Sequence, residues 1–192
     1  MRLAKYDREQ VLCSALSLFV TKGFNKTSMQ DIKKATGLHP GSIYCAFKNK
    51  QGLLLAAIEH YVNERDQQFS DIFDSQPTII KGLKSYFSMI VNECENATIK
   101  DCLLQKLMNE LTQDDNEMKN IINDALNSWK SKLLSKLREA QAKGEISAES
   151  DCDFLAEYLV MGIYGLREFS HTKPQKGLLA KIADQLLQST IQ

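Results

Sequence analysis

This chain of 192 residues is poor in the residues that interrupt helices, with only three prolines and nine glycines. It also lacks a long alternating run rich in Val, Ile and Thr, the pattern that is typical of a half-buried strand. Because helix breakers and strand patterns are both scarce, the sequence predicts an all-α fold. The hydrophobic fraction of 43% is ordinary and is sufficient for a sizeable core in a chain of this length.

Several functional signatures are also missing. The five cysteines are odd in number and none forms a CxxC pair, so we expect reduced thiols in a cytoplasmic protein rather than a disulfide framework or a zinc site. The GxGxxG, P-loop and HExxH motifs are absent, and the three histidines are widely separated. The sequence therefore predicts no catalytic residues, no metal and no cofactor. It predicts neither a signal peptide nor a membrane partner, because its start is charged and no segment approaches the roughly 20 apolar residues of a membrane span.

The formal net charge is zero, which by itself argues against a nucleic-acid-binding protein. The distribution of charge along the chain indicates the opposite. Residues 1–52 contain nine Lys and Arg against three Asp and Glu, a net charge of +6, and the remainder therefore carries −6. A basic N-terminal region on an acidic body is typical of a protein that faces DNA phosphates with one end.

Residues 24–50 are the most informative segment, because they predict two short helices joined by a tight turn. Ser28 and Asp31 have the spacing of a capping box at the start of the first helix. Gly37 provides the backbone freedom that a sharp turn requires, and Pro40 stands at the first position of the second helix, where its missing N–H costs nothing. A helix-turn-helix unit of this kind places its second helix in the DNA major groove.

The apolar spacing in this segment predicts which side chains face inward. Met29, Ile32 and Ala35 form the inward stripe of the first helix, and Ile43 and Phe47 form that of the second. The remaining residues of the second helix are predicted to lie near or on its outward side: Ser42, Tyr44, Cys45 and Lys48.

This pattern resembles the TetR family of bacterial transcription regulators. The residues that carry the resemblance are Val11, Leu12, Ala15, Leu16, Phe19, Gly23, Phe24, Thr27, Ser28, Asp31, Ile32, Ala35, Gly37, Gly41, Ile43, Tyr44, Phe47, Lys48, Lys50, Leu53 and Leu54. The resemblance implies an N-terminal three-helix helix-turn-helix head, residues 1–50, on a larger C-terminal helical ligand-binding and dimerisation domain, residues 51–192. It also implies a homodimeric repressor that is released from double-stranded operator DNA by a small-molecule effector.

The helix-turn-helix pattern and the resemblance together define a predicted DNA-binding set. Tyr44 matches the family's phosphate-contacting tyrosine, and Lys48 and Lys50 are expected to hold backbone phosphates. His39 stands where family members commonly carry Ser or Thr as the helix cap; it either contacts DNA or is a plain exposed residue at the helix start. The complete predicted set is Thr27, Ser28, His39, Pro40, Gly41, Ser42, Tyr44, Cys45, Lys48 and Lys50.

The last two predicted helices, 154–168 and 176–188, are rich in apolar residues. By resemblance they are the dimer helices, which form a four-helix bundle with their copies; the alternative is that both pack only within the monomer. The predicted interface residues are Leu155, Tyr158, Leu159, Gly162, Leu166, Leu179, Ile182 and Leu186.

The predicted effector-binding residues are Phe87, Cys102, Met108, Trp129 and Tyr164, although apolar residues at helical spacing are also typical of an ordinary core. Cys102 stands at the predicted start of a helix, where the thiolate is favoured, and its surroundings resemble the Gly-Cys-Leu-Leu stretch of a subgroup that responds to electrophiles through a cysteine. A cysteine-based electrophile or redox sensor is therefore one alternative function, and a helical protein-interaction module without DNA binding is another. An enzyme is disfavoured because no catalytic set is present.

Overall fold

The computed structural model describes residues 6–96, 103–110 and 116–191. Within these ranges the backbone forms nine helices and no strand, which confirms the predicted all-α fold. None of the described helices is long and apolar enough to cross a lipid bilayer. The helices are α1 (Arg8–Lys22), α2 (Met29–Thr36), α3 (Pro40–Phe47), α4 (Lys50–Asp74), α5 (Ile79–Asn96), α6 (Leu103–Glu110), α7 (Asn116–Ala142), α8 (Cys152–Ser170) and α9 (Leu178–Ile191).

Local sequence signals set many of the helix ends. The Asp7 carboxylate caps α1 by accepting the backbone N–H groups of Glu9 and Gln10 at 3.0 and 3.2 Å. Gly37 ends α2 in the left-handed conformation, with φ of 72°, and its N–H donates to the Lys33 carbonyl. These ends lie within a few residues of those that the sequence predicts.

Contacts between residues divide the chain into two compact units. The first unit comprises Met1–Arg65 with Leu103–Asn123, and the second comprises Asp66–Cys102 with Asp124–Gln192. The boundary expected at residue 50 differs from this division because the first part of α4 belongs to the first unit. Four apolar residues there are fully buried or nearly so: Leu53, Leu54, Ala57 and Ile58.

The core of the second unit is built by α5, α8 and α9, together with parts of α4 and α7. Phe73 and Gly82 approach so closely that a Cβ at position 82 would lie 2.5 Å from the phenyl ring. The guanidinium of Arg167 on α8 donates to the Glu93 carboxylate on α5 at 2.9 Å, and both side chains are almost buried. The pair links the two helices, and loss of either partner would leave a costly unpaired charge in a nearly buried position.

Candidate nucleic-acid interface

The α2–turn–α3 unit forms as the sequence predicts. The Ser28 backbone N–H donates to the Asp31 carboxylate at 2.8 Å, and the Asp31 N–H donates to the Ser28 hydroxyl oxygen at 3.2 Å. These two bonds complete the capping box of α2.

The predicted inward stripe of α2 holds at two of its three positions. Ile32 is fully buried and Met29 half-buried, but Ala35 is exposed, so the prediction was wrong at its third position. A helix has about 3.6 residues per turn, so each step of three residues falls about 60° short of a full turn. Two such steps rotate Ala35 by about 120° from Met29, which turns it out of the buried stripe.

An ion pair with a lysine of α1 strengthens the cap of α2. The Lys22 ammonium on α1 forms an ion pair with the Asp31 carboxylate at 2.5 Å. The hydrogen bond from Lys22, followed by those from Ser28, holds the pKa of Asp31 far below its usual range. Asp31 is therefore a charged link between the end of α1 and the start of α2.

The α3 helix presents a polar, solvent-facing surface while anchoring itself through its opposite side. Ile43 and Phe47 are buried, as predicted. Tyr44 is 52% exposed, so it is not packed in the core and is accessible from outside. The other outward residues are Gly41, Cys45 and Lys48, which are exposed, and Pro40 and Ser42, which are half-buried.

His39 acts as the N-cap of α3. Its Nδ1 accepts the Gly41 N–H at 3.4 Å, so the imidazole takes the capping role that Ser or Thr hydroxyls usually have at this position. A neutral imidazole that accepts at Nδ1 carries its proton at Nε2. Because His39 is exposed, that Nε2–H is a donor that faces solvent at the front of α3.

The structure corrects the predicted role of Lys50. Its ammonium donates to the backbone carbonyls of Phe24 at 2.9 Å and Thr27 at 3.1 Å, and it lies 4.4 Å from the centre of the Phe24 ring. Burial lowers the pKa of Lys50. The side chain thus joins the start of α4 to the loop between α1 and α2, and its positive charge is directed at protein oxygens rather than at phosphate.

The predicted DNA contact of the Thr27 hydroxyl is corrected in the same way. Thr27 is 3% exposed, and its hydroxyl donates to the Gly23 carbonyl at 2.6 Å. The Ser28 hydroxyl is exposed but already bonded to Asp31. The outward residues of α3 are therefore the main candidates for DNA contact.

The predicted dimer residues fall into two groups. Leu159, Leu166 and Leu179 are at most 3% exposed within the single chain, and a Cβ at Gly162 would lie 2.7 Å from the Leu186 side chain. These four already pack in the core of their own unit, so they have little surface left for a partner. The rest are half-buried and keep surface for a partner: Leu155, Tyr158, Ile182 and Leu186.

An apolar surface that the sequence prediction missed lies on α8. Phe154 is 64% exposed and Met161 is 61% exposed. Tyr158 lies between them in the helix, and its ring is stacked on that of Phe154 with 6.3 Å between centroids. The spacing i, i+4, i+7 could have identified this face. It was overlooked because every face of α8 contains apolar residues.

The predicted effector residues are divided between the two units. Met108 belongs to the first unit, whereas Phe87, Trp129 and Tyr164 belong to the second, and Cys102 lies outside the described residues. Phe87 is 1% exposed, and the Trp129 indole N–H donates to the Tyr86 hydroxyl at 2.9 Å.

A cavity of about 410 Å³ opens in the second unit. Its volume is in the range of small-molecule sites. None of the predicted effector residues lines it; its wall includes Cys94, Ser170, Lys173, Lys176 and Leu179.

The chain is all-α and has a capped helix-turn-helix in a basic N-terminal region. These features are those of the helix-turn-helix DNA-binding regulators. Two family models match this chain: "Bacterial regulatory proteins, tetR family" over residues 11–57, and "Tetracyclin repressor-like, C-terminal domain" over residues 80–183. The chain therefore belongs to the TetR family, as its resemblance implied, and it is a DNA-binding transcriptional regulator.

Curated relatives and solved structures agree with this assignment. The chain is 29% identical over 164 residues to the HTH-type transcriptional repressor ComR of Escherichia coli K12, covering 84% of this chain and 78% of ComR. It is 27% identical over 170 residues to the transcriptional regulator AcuR of Cereibacter sphaeroides, covering 84% and 75%.

Among solved structures, a cysteine mutant of the TetR family regulator CifR, complexed with 26-bp double-strand operator DNA, has a TM-score of 0.82. The identity is 22%, with 98% of this chain and 99% of that chain covered. At this identity the likeness shows the fold.

Proposed function

We propose that this chain is a dimeric repressor that reads operator DNA with the outward face of α3 and leaves it when a small molecule binds the second unit. The observation that carries the proposal is the combination on α3 of buried anchors, Ile43 and Phe47, with an exposed front that includes Tyr44 and Lys48. Such a helix offers phosphate donors at its edge and small polar groups at its N-terminal front, where major-groove readers contact bases.

The roles on α3 divide by chemistry. The Tyr44 hydroxyl and the Lys48 ammonium suit phosphate oxygens, which fix register without reading sequence. Ser42 and the outward Nε2–H of His39 stand at the front of α3 and suit base edges. The relatives support repression as the direction of regulation, since ComR is named a repressor.

Dimerisation in this proposal uses the exposed apolar face of α8. Phe154 and Met161 are each more than 60% exposed, the half-buried Tyr158 lies between them on the helix, and the half-buried Leu155 follows Phe154 in sequence. Burying such side chains is favourable by about 1.5–3 kcal/mol each relative to exposure. A two-fold dimer also matches an operator with two half-sites, roughly 34–36 Å apart.

Release by an effector would use α4, because this single helix contributes residues to both compact units. The protein in this proposal has one conformation that binds DNA and one that does not. A ligand in the second unit shifts the equilibrium between them only to the extent that it binds the second conformation more tightly. The 410 Å³ cavity beside Cys94 is the candidate site, and its wall, which includes Glu95, Lys173 and Lys176, favours a ligand with polar or charged groups.

The cysteine-sensor alternative rests on Cys102, and it stays a prediction. Three other cysteines in the described part of the chain do not favour it, since burial raises the pKa of Cys13, Cys94 and Cys152. A raised pKa lowers the thiolate fraction and with it the reactivity towards electrophiles.

The test is fluorescence anisotropy of the full-length protein on its own upstream DNA and on scrambled DNA, at several salt concentrations. Tyr44→Phe should weaken binding to both DNAs by a similar factor, whereas Ser42→Ala should change the ratio between them. Tyr61→Phe on α4 is the matched control and should change neither. Equal affinity for the two DNAs in the unmodified protein, or binding independent of salt, would refute sequence-specific recognition.

A further inference from the structure

Three side chains with metal-binding chemistry meet in the first unit. Cys13 lies on α1, and His60 and Glu64 lie one helical turn apart on α4. The Cys13 Sγ is 3.6 Å from the His60 Nε2, and the same Nε2 is 3.6 Å from a Glu64 carboxylate oxygen. All three ligand atoms lie within 4.8 Å of one another.

These distances match the edges of a tetrahedral metal site. Zinc binds cysteine sulfur at about 2.3 Å and histidine nitrogen at about 2.0–2.1 Å, and tetrahedral angles then separate the sulfur from the nitrogen by about 3.5 Å. The same reasoning gives about 3.4 Å between a nitrogen and a carboxylate oxygen. Both measured separations of 3.6 Å are therefore close to those that a bound ion requires, and the Cys13 Sγ lies within 4.8 Å of the Glu64 oxygen.

The exposure of the three groups fits ligand entry. The His60 side chain is 18% exposed, whereas the Glu64 side chain is 60% exposed and has room to adjust its oxygens. Cys13 is also exposed. The open side of the cluster leaves room for water as a fourth ligand.

The charges around Cys13 favour a cation over a reactive thiol. The negative charges of Glu64, Glu9 and Asp7 act on the Cys13 thiol. These carboxylates oppose a free thiolate, which disfavours attack on electrophiles. The same negative charges attract a dication, whose own charge offsets them and stabilises the thiolate.

We propose that Cys13, His60 and Glu64 form a binding site for a transition-metal dication of the Zn²⁺ class, with water completing a tetrahedron. On binding, the Cys13 thiol proton is released to solvent and a metal–sulfur bond forms, with no change in oxidation state. A Cys, His and carboxylate set suits Zn²⁺ and its neighbours rather than Mg²⁺ or Ca²⁺, which prefer oxygen ligands. The site would cross-link α1 to α4 within the first unit, and it does not depend on the proposed repressor function.

The experiment uses Co²⁺ as a spectroscopic substitute for Zn²⁺ on the full-length reduced protein. A tetrahedral thiolate site gives both a sulfur-to-metal charge-transfer band and intense visible bands, and Zn²⁺ should bleach both. Cys13→Ser should abolish the charge-transfer band. His60→Gln and Glu64→Gln should each lower the Zn²⁺ affinity by at least about 10-fold. Loss of a residue that only orients a metal ligand already costs about 10-fold, so loss of a ligand itself should cost no less.

Matched controls exist for each ligand: Cys45→Ser, His171→Gln and Glu59→Gln replace the same residue types elsewhere in the chain. Each control should leave Co²⁺ absorption and Zn²⁺ affinity unchanged. Equal losses in a control and its matched ligand variant would overturn the assignment, as would Co²⁺ spectra of octahedral type without a thiolate band.

A second measurement uses the unmodified protein, so that it does not depend on the folding of any variant. Limiting alkylation followed by peptide mass mapping should show Cys13 protected by Zn²⁺ by at least about 10-fold in rate, while Cys45, also exposed, reacts at the same rate with and without the ion. Labelling of Cys13 at an unchanged rate in saturating Zn²⁺ would overturn the proposal.

Discussion

Two lysines that lie two residues apart should have separable functions. Lys48 is exposed at the end of α3, whereas the Lys50 ammonium is bonded to the Phe24 and Thr27 carbonyls and lies over the Phe24 ring. Lys48→Met and Lys50→Met remove the same charge and keep an unbranched side chain. The two substitutions therefore distinguish a lysine that binds DNA phosphate from a lysine that stabilises the fold of the first unit.

The magnitude for Lys50→Met follows from the contacts it removes. Hydrogen bonds that involve a charged group contribute about 1.5–3 kcal/mol each, and a cation over an aromatic ring adds about 0.5–1 kcal/mol. The desolvation that lowers the pKa of Lys50 opposes these gains. We therefore expect a net loss of about 2 kcal/mol, which is roughly a 30-fold change in the folding equilibrium. Lys48→Met should change stability by less than about 0.5 kcal/mol.

The assay has two readouts. Native-state hydrogen exchange of amides in α1–α3 reports the local stability of the first unit. A global denaturation experiment would instead give one value that combines the stabilities of both units. Anisotropy on DNA at several salt concentrations reports the number of phosphates bound. Lys48→Met should reduce the salt slope by about one while exchange stays unchanged. A variant Lys50→Met with unchanged exchange and a slope reduced by about one would refute the structural role and restore the original phosphate assignment.

Three further outcomes are expected. Asp31→Asn should lower the melting temperature at neutral pH and lower it by less at about pH 2. A depressed carboxyl pKa stabilises the fold fully above the unfolded pKa of about 3.9, and this stability declines as the pH falls from there towards the folded pKa; equal melting-temperature differences at about pH 2 and about pH 7 would contradict this. Gly52→Ala should disrupt the α3–α4 junction and abolish DNA binding, since the new Cβ would lie 2.0 Å from the Phe47 carbonyl oxygen; a variant with unchanged melting temperature and DNA affinity would show that the junction yields easily. Met161→Glu should convert dimers to monomers in sedimentation without changing helix content, and an unchanged mass would place the dimer interface elsewhere.

The sequence by itself determined the helices and the helix-turn-helix. Caps and turns act over a few residues, so Ser28, Asp31, Gly37 and Pro40 specify the bounds of α2 and α3 without help from the rest of the chain. The buried anchors of α3 were also predictable, because helical spacing alone puts two apolar residues on one side. The outward position of Tyr44 follows from the same spacing.

Other features were decided by contacts between distant residues. Lys50 is 26 residues from Phe24 in the sequence, and Cys13 is 47 residues from His60, so no local pattern shows that these groups meet. Short-range hydrogen bonds encode helix ends locally, whereas side-chain contacts of this kind exist only once the helices that carry them have packed together.

Contacts between distant residues also decided which side of α8 faces the core. Because apolar residues occur on every side of α8, only packing against α5 and α9 determined that Leu159 is buried and Met161 exposed. Burial and ligand geometry therefore depend on which helices pack against one another, and that choice is made by the whole core rather than by any single segment.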